Sequence, residues 1–121
     1  LTFKQIEKLK YINFQMVSQE KLQEMQFLEQ NLQSLMMQKQ AFQMELSETK
    51  AALKELDNSG DDVFKLVGQL MLKTDKKKMK EELITKEKLL EKRTDTLQTQ
   101  EVPLMKKLDD LRQELMKTVS K

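Results

Sequence analysis

Met25, Leu28, Leu32, Leu35, Phe42, Leu46, Leu53 and Leu56 follow one another on alternating steps of three and four, with Lys39 and Thr49 standing in the two vacant places. That spacing keeps all ten positions on one side of a helix and predicts a coiled-coil seam. A helix over about 4–56 would be roughly 80 Å long at a rise of about 1.5 Å per residue, so it must protrude from any small domain. A second seam runs downstream, where Leu83, Leu90, Leu97, Leu104 and Leu111 recur every seven residues and Leu108 and Leu115 add the partner position. Glu87, Thr94 and Glu101 occupy its weaker places, and these turns are expected to pack loosely or face partly to solvent. Pro103 removes a backbone donor and clashes with the carbonyl one turn earlier, which predicts a kink or break with a bend near Gln100.

Between the two seams, Asp57-Asn58-Ser59-Gly60-Asp61-Asp62 gathers turn-forming and capping residues, giving a turn over 57–62. The segment 63–74 then alternates strand-formers around Gly68-Gln69 and reads as two short strands, the glycine supplying the positive backbone angle of a tight turn. Thr74 or Asp75 can cap a second helix over 75–119, with Glu81 and Glu82 near its start. Two helices of similar length, each with one apolar stripe, fold back on each other. The expected fold is therefore dominated by α-helix, an antiparallel two-helix coiled-coil hairpin with a small β-hairpin between the helices. A two-stranded hairpin alone is marginal in water, so its apolar edges call for strands from other copies or relatives.

Composition narrows the chemistry. The 121 residues fit a single domain, and only two glycines, one proline and no tryptophan interrupt a chain that is 38% hydrophobic and 35% charged. Without cysteine or histidine there are no disulfides, thiol nucleophiles or imidazole bases, and the commonest zinc sites are excluded. Asp61-Asp62, Glu81-Glu82 and Asp109-Asp110 are adjacent in sequence and point apart, so they do not form facing carboxylates. Gly60 and Gly68 lack the flanking pattern of a phosphate loop. No enzyme activity, metal or cofactor is expected. Lys and Arg number 22 against 20 acidic residues, a near-balance that argues against a nucleic-acid partner. Apolar runs are too short for a membrane span and Leu1 to Lys10 lacks the apolar centre of a signal peptide, which leads us to expect a soluble, intracellular protein. Leu1 also suggests that residues precede it.

The ends carry more apolar residues than a two-helix seam can bury: Phe3, Ile6, Leu9, Tyr11, Ile12, Phe14, Met16 and Val17 at the start, and Leu115, Met116 and Val119 at the finish. They fall on more than one helical face, so some must be exposed, and exposed apolar groups mark a binding surface. The alternative is ordinary seam packing at a frayed end. For Val63, Phe64, Leu66, Val67, Gly68, Leu70, Met71 and Leu72, apolar character on both strand faces favours a subunit interface over local packing. Met36 and Met37, next to Leu35, read as helix–hairpin packing rather than a site. Lys73, Lys76, Lys77, Lys78 and Lys80, followed at once by acidic residues, read as a solvated helix start that also deters edge pairing.

The order of these features resembles one family. Met36-Met37-Gln38-Lys39-Gln40, Glu48-Thr49-Lys50-Ala51-Ala52-Leu53-Lys54-Glu55-Leu56, the Leu56-Asp57 turn, Val63-Phe64-Lys65-Leu66-Val67-Gly68 and a second strand ending Lys73-Thr74 are similar to the beta-class subunit of archaeal-type prefoldin. The resemblance covers about Leu22 to Leu115, and its single hairpin between the arms is the beta-class pattern. Pro103 departs from the uninterrupted second helix of the family. The resemblance implies an ATP-independent cytoplasmic holdase, a hexamer of two alpha-class and four beta-class subunits whose hairpins build an intersubunit β-barrel. Its coiled-coil tips would hold unfolded proteins and pass them to a group II chaperonin. The rival expectation is a structural coiled-coil adaptor for one partner helix.

Overall fold

The computed structural model describes residues 1–119, with side chains through Lys117. The order of elements is α1 (Phe3–Asn58), β1 (Asp62–Val67), β2 (Leu70–Asp75) and α2 (Lys76–Val119). Each helix is unbroken, and α2 carries Pro103 inside it. The expected break at Pro103 is thus absent. The proline costs a single ladder bond, while the leucine stripe continues on both sides of it.

Helix α1 starts where its sequence provides a reciprocal cap. The Thr2 hydroxyl accepts from the Gln5 amide at 3.3 Å, and the Gln5 side-chain oxygen accepts from the Thr2 amide at 2.9 Å, which satisfies donors that a helix start leaves open. At its other end, the Ser59 hydroxyl donates to the Leu56 carbonyl at 2.8 Å. Asp75, one of the two predicted capping residues, accepts from the Lys77 amide at 3.3 Å at the start of α2.

The chain forms two compact units. In the unit of Leu1–Met36 with α2 from Thr99 onward, Leu28, Leu32, Leu108 and Leu111 make a buried cluster, with Met25 and Leu104 packed against it. Lys21 pairs with Glu114, Glu24 with Lys107 and Glu29 with Arg112 across the two helices. All three pairs are exposed enough that each contributes about 0.2–1 kcal/mol, so burial of the leucines holds the unit while the charges fix its register.

In the unit Met37–Gln98, Leu56, Leu90 and Leu97 are buried. Glu45–Lys86 and Asp57–Lys80 pair across the helices, and the Arg93 guanidinium lies 5.8 Å from the Phe42 ring centroid. Thr49 and Thr94 are buried in the seams, Thr49 at 3% exposure. Here the expectation of a loose turn at Thr94 is corrected. Its hydroxyl donates to the Leu90 carbonyl at 2.8 Å, as that of Thr49 does to Glu45, so each residue enters the seam with its polar group satisfied by its own helix. Glu87, and Glu101 in the other unit, are half-buried, as expected of the weak positions.

The strands of this second unit pair antiparallel, with Val63 opposite Thr74, Phe64 opposite Lys73, Lys65 opposite Leu72, Leu66 opposite Met71 and Val67 opposite Leu70. Gly68 has φ +62° and Gln69 does not share the positive sign, the pattern of a two-residue type II′ turn.

Candidate functional site

Two surfaces gather many of the apolar side chains that the seams leave out, while others, Leu22, Phe27, Met44, Leu89, Val102 and Met105 among them, are exposed along the helices. The first is the start of α1, where capping at Thr2 and Gln5 holds the segment in helix and every residue from Leu1 to Val17 is exposed. Phe14 and Tyr11 continue the three-and-four steps of the seam, while Phe3, Leu9, Ile12, Met16 and Val17 fall off them, so the apolar character wraps more than one face. The Gln15 side chain donates to the Tyr11 hydroxyl at 2.8 Å, which orients the one phenol of the segment.

Of the residues expected at the other end, Met116 is exposed, whereas Leu115 is half-buried as a seam residue of α2. Leu115 is better placed for holding the two helices together than for contacting a partner. The Val119 side chain lies outside the described residues.

The second surface is the hairpin. Side chains alternate across a strand, which puts Asp62, Phe64, Leu66, Met71, Lys73 and Asp75 on one face, and Val63, Lys65, Val67, Leu70, Leu72 and Thr74 on the other. Lys65 reaches Glu82 of α2 at 3.1 Å, and Val63, Lys65 and Thr74 are half-buried. Phe64, Leu66 and Met71 are 55%, 69% and 70% exposed, and Val67, Leu70 and Leu72 are exposed as well. Within the chain itself, then, neither face is fully covered. Charged residues bracket the apolar patch, with Lys73 pairing with Asp62 at 3.5 Å.

Beside the hairpin, an open groove of about 470 Å³ is lined by Ala52, Leu56, Val63, Phe64, Met79 and Leu83, with Glu55, Ser59 and Asp62 also on its walls. Lys76 donates to the Ser59 carbonyl at 2.9 Å, and Lys80 pairs with Asp57 at 3.2 Å. The basic run at the start of α2 therefore anchors the base of the hairpin.

Met36 and Met37 correct the packing expected of them, since both are exposed. They stand one and two residues past Leu35, and the steps of about 100° per residue carry them off the seam. The capping box at Thr2 and Gln5 is a feature that periodicity missed. Its signal is in the sequence, a threonine followed three residues later by glutamine. Among the described residues, no cluster of acidic side chains could hold a metal ion and no helix is long and apolar enough to cross a membrane.

Comparison with known proteins gives this arrangement its family. A family profile described as "Prefoldin subunit" matches residues 19–121. The chain is 44% identical over 89 residues to the prefoldin subunit beta of Thermococcus onnurineus, covering 72% of this chain and 77% of that one. It is 36% identical over 105 residues to the prefoldin subunit beta of Saccharolobus islandicus, covering 85% of this chain and 83% of the other. The crystal structure of the prefoldin beta subunit from Thermococcus strain KS-1 superposes with a TM-score of 0.76 at 39% identity, over 84% of this chain and 90% of that one. Two helices joined by one exposed β-hairpin, in a sequence this similar, make the chain a member of the prefoldin family, of the beta-subunit class.

Proposed function

We propose that the chain works as a beta subunit of an ATP-independent, cytoplasmic holdase, joining alpha-class subunits and further beta subunits through its hairpin and holding unfolded proteins at the chain-end surface. The observation that carries the reading is the exposed apolar start of α1, from Phe3 to Val17. An unfolded protein presents many different apolar sequences, and exposed aromatic, aliphatic and methionine side chains on several faces of one helix can meet them without a shaped pocket. Capture at several such ends adds avidity to weak contacts.

Phe64, Leu66, Val67, Gly68, Leu70, Met71 and Leu72, with Val63 at the edge of the patch, would supply the assembly surface. A two-stranded sheet with apolar side chains on both faces and two open edges gains stability only by pairing with further strands. Two alpha-class and four beta-class subunits, a β-barrel of joined hairpins and delivery to a group II chaperonin complete the proposal. Catalysis has no part in it.

The test is light scattering of the chain alone and mixed with an alpha-class prefoldin subunit, followed by suppression of aggregation of an unrelated unfolded protein without ATP. A mixed oligomer of defined mass that protects the client is the expected result. A species that neither assembles nor protects would support the structural adaptor instead.

A further inference from the structure

The methionines of the chain lie mainly at its surface. Every buried hydrophobic residue among the described side chains is a leucine, whereas seven of the nine methionines are exposed and only Met25 and Met79 are half-buried. Thioethers are thus concentrated on the surface, where oxidants reach them. Two of them, Met16 and Met116, belong to the chain-end surface and are 57% and 72% exposed.

We infer that Met16 and Met116 are oxidation sites that switch off the capture of unfolded protein; this rests on the chain-end reading above. In the reaction with a peroxide, a sulfur lone pair attacks one peroxide oxygen and the O–O bond breaks. That oxygen becomes the sulfoxide, the second oxygen leaves as water or alcohol, and the sulfur gives up two electrons. The product is a polar, chiral group where an apolar one stood. At a seam leucine position such a change would threaten the fold, whereas Met16 and Met116 are exposed side chains outside the buried leucine cluster. Phe3, Phe14 and Val17 carry no oxidisable sulfur, so the loss comes from breaking the continuity of the apolar patch.

The experiment treats the assembled oligomer with graded hydrogen peroxide, reads each methionine by peptide mass spectrometry and then measures protection of an aggregating client. Sulfoxide is expected at Met16 and Met116 before Met25 and Met79, with loss of most of the protection while oligomer mass and helix content stay unchanged. The double variant Met16→Leu/Met116→Leu should protect equally with and without the treatment, whatever its own starting level. The inference is overturned if Met25 and Met79 react as fast, if oxidised wild type protects fully, or if the double variant loses as much as wild type. A different result separates the underlying reading: if untreated Ile12→Ser/Phe14→Ser assembles and protects like wild type, the chain-end surface is not the capture site and the inference falls with it.

Discussion

Leu108 sits among Leu28, Leu32 and Leu111 in a buried leucine cluster, and its truncation tests how much of the stability lies in that seam. Leu108→Ala is expected to cost about 2 kcal/mol, the low end for a buried leucine because a two-helix seam closes partly around the gap; urea denaturation followed by helix signal measures it. Thr49 points the other way. Its hydroxyl bonds only to its own helix, so Thr49→Val leaves no donor stranded, and melting should show stability unchanged or raised by up to about 1 kcal/mol. At this scale the sequence was legible wherever side-chain type and spacing agree. All ten places of the first seam, Lys39 and Thr49 included, are buried or half-buried. Thr94 was misjudged because its polarity shows in the sequence, whereas the Leu90 carbonyl that satisfies it depends on helical geometry.

Among the elements, α2 and the hairpin make separate predictions. Pro103 lies inside an unbroken helix and leaves one ladder bond unmade. Pro103→Ala should therefore raise stability, by up to about 3 kcal/mol, seen as an upward shift of the melting temperature. A fall would mean that the groove lined by Asn31, Ser34, Leu35 and Pro103 needs the ring. In the hairpin, Gly68 holds a left-handed backbone at φ +62°. Gly68→Val should cost about 1–2 kcal/mol and Gly68→Asn less, since asparagine tolerates that region; the readout is the midpoint of oligomer dissociation. The hairpin was legible because strand-formers bracket a Gly-Gln pair. The chance of a break at Pro103 was overstated, because a proline rule read locally gives no weight to a leucine stripe that runs on through both flanks.

For the whole molecule, the two exposed surfaces are expected to respond independently. Phe64→Asp with Leu66→Asp should leave the helices formed, since both side chains are exposed within the chain, but abolish assembly by placing charges in the strand-pairing face. Sedimentation would show monomers or dimers; an unchanged oligomer would defeat the assembly reading. Removal of residues 1–17 should give the converse, intact assembly with weakened protection of unfolded proteins. The sequence announced both surfaces through an excess of apolar residues over seam positions, and Leu115, counted both on the second seam and at the chain end, is half-buried as its seam position implies.

The reciprocal cap between Thr2 and Gln5 bears on the thermodynamics of capture. A flexible tail would have to lose backbone freedom each time it closed on a client, at roughly 1–2 kcal/mol per ordered residue. If the chain end holds clients as proposed, that entropy is already spent in folding, and the disorder lost on binding belongs to the client and the side chains alone. Calorimetry should then show a heat-capacity change scaled to buried apolar area, without the further signature of a helix forming as the complex does.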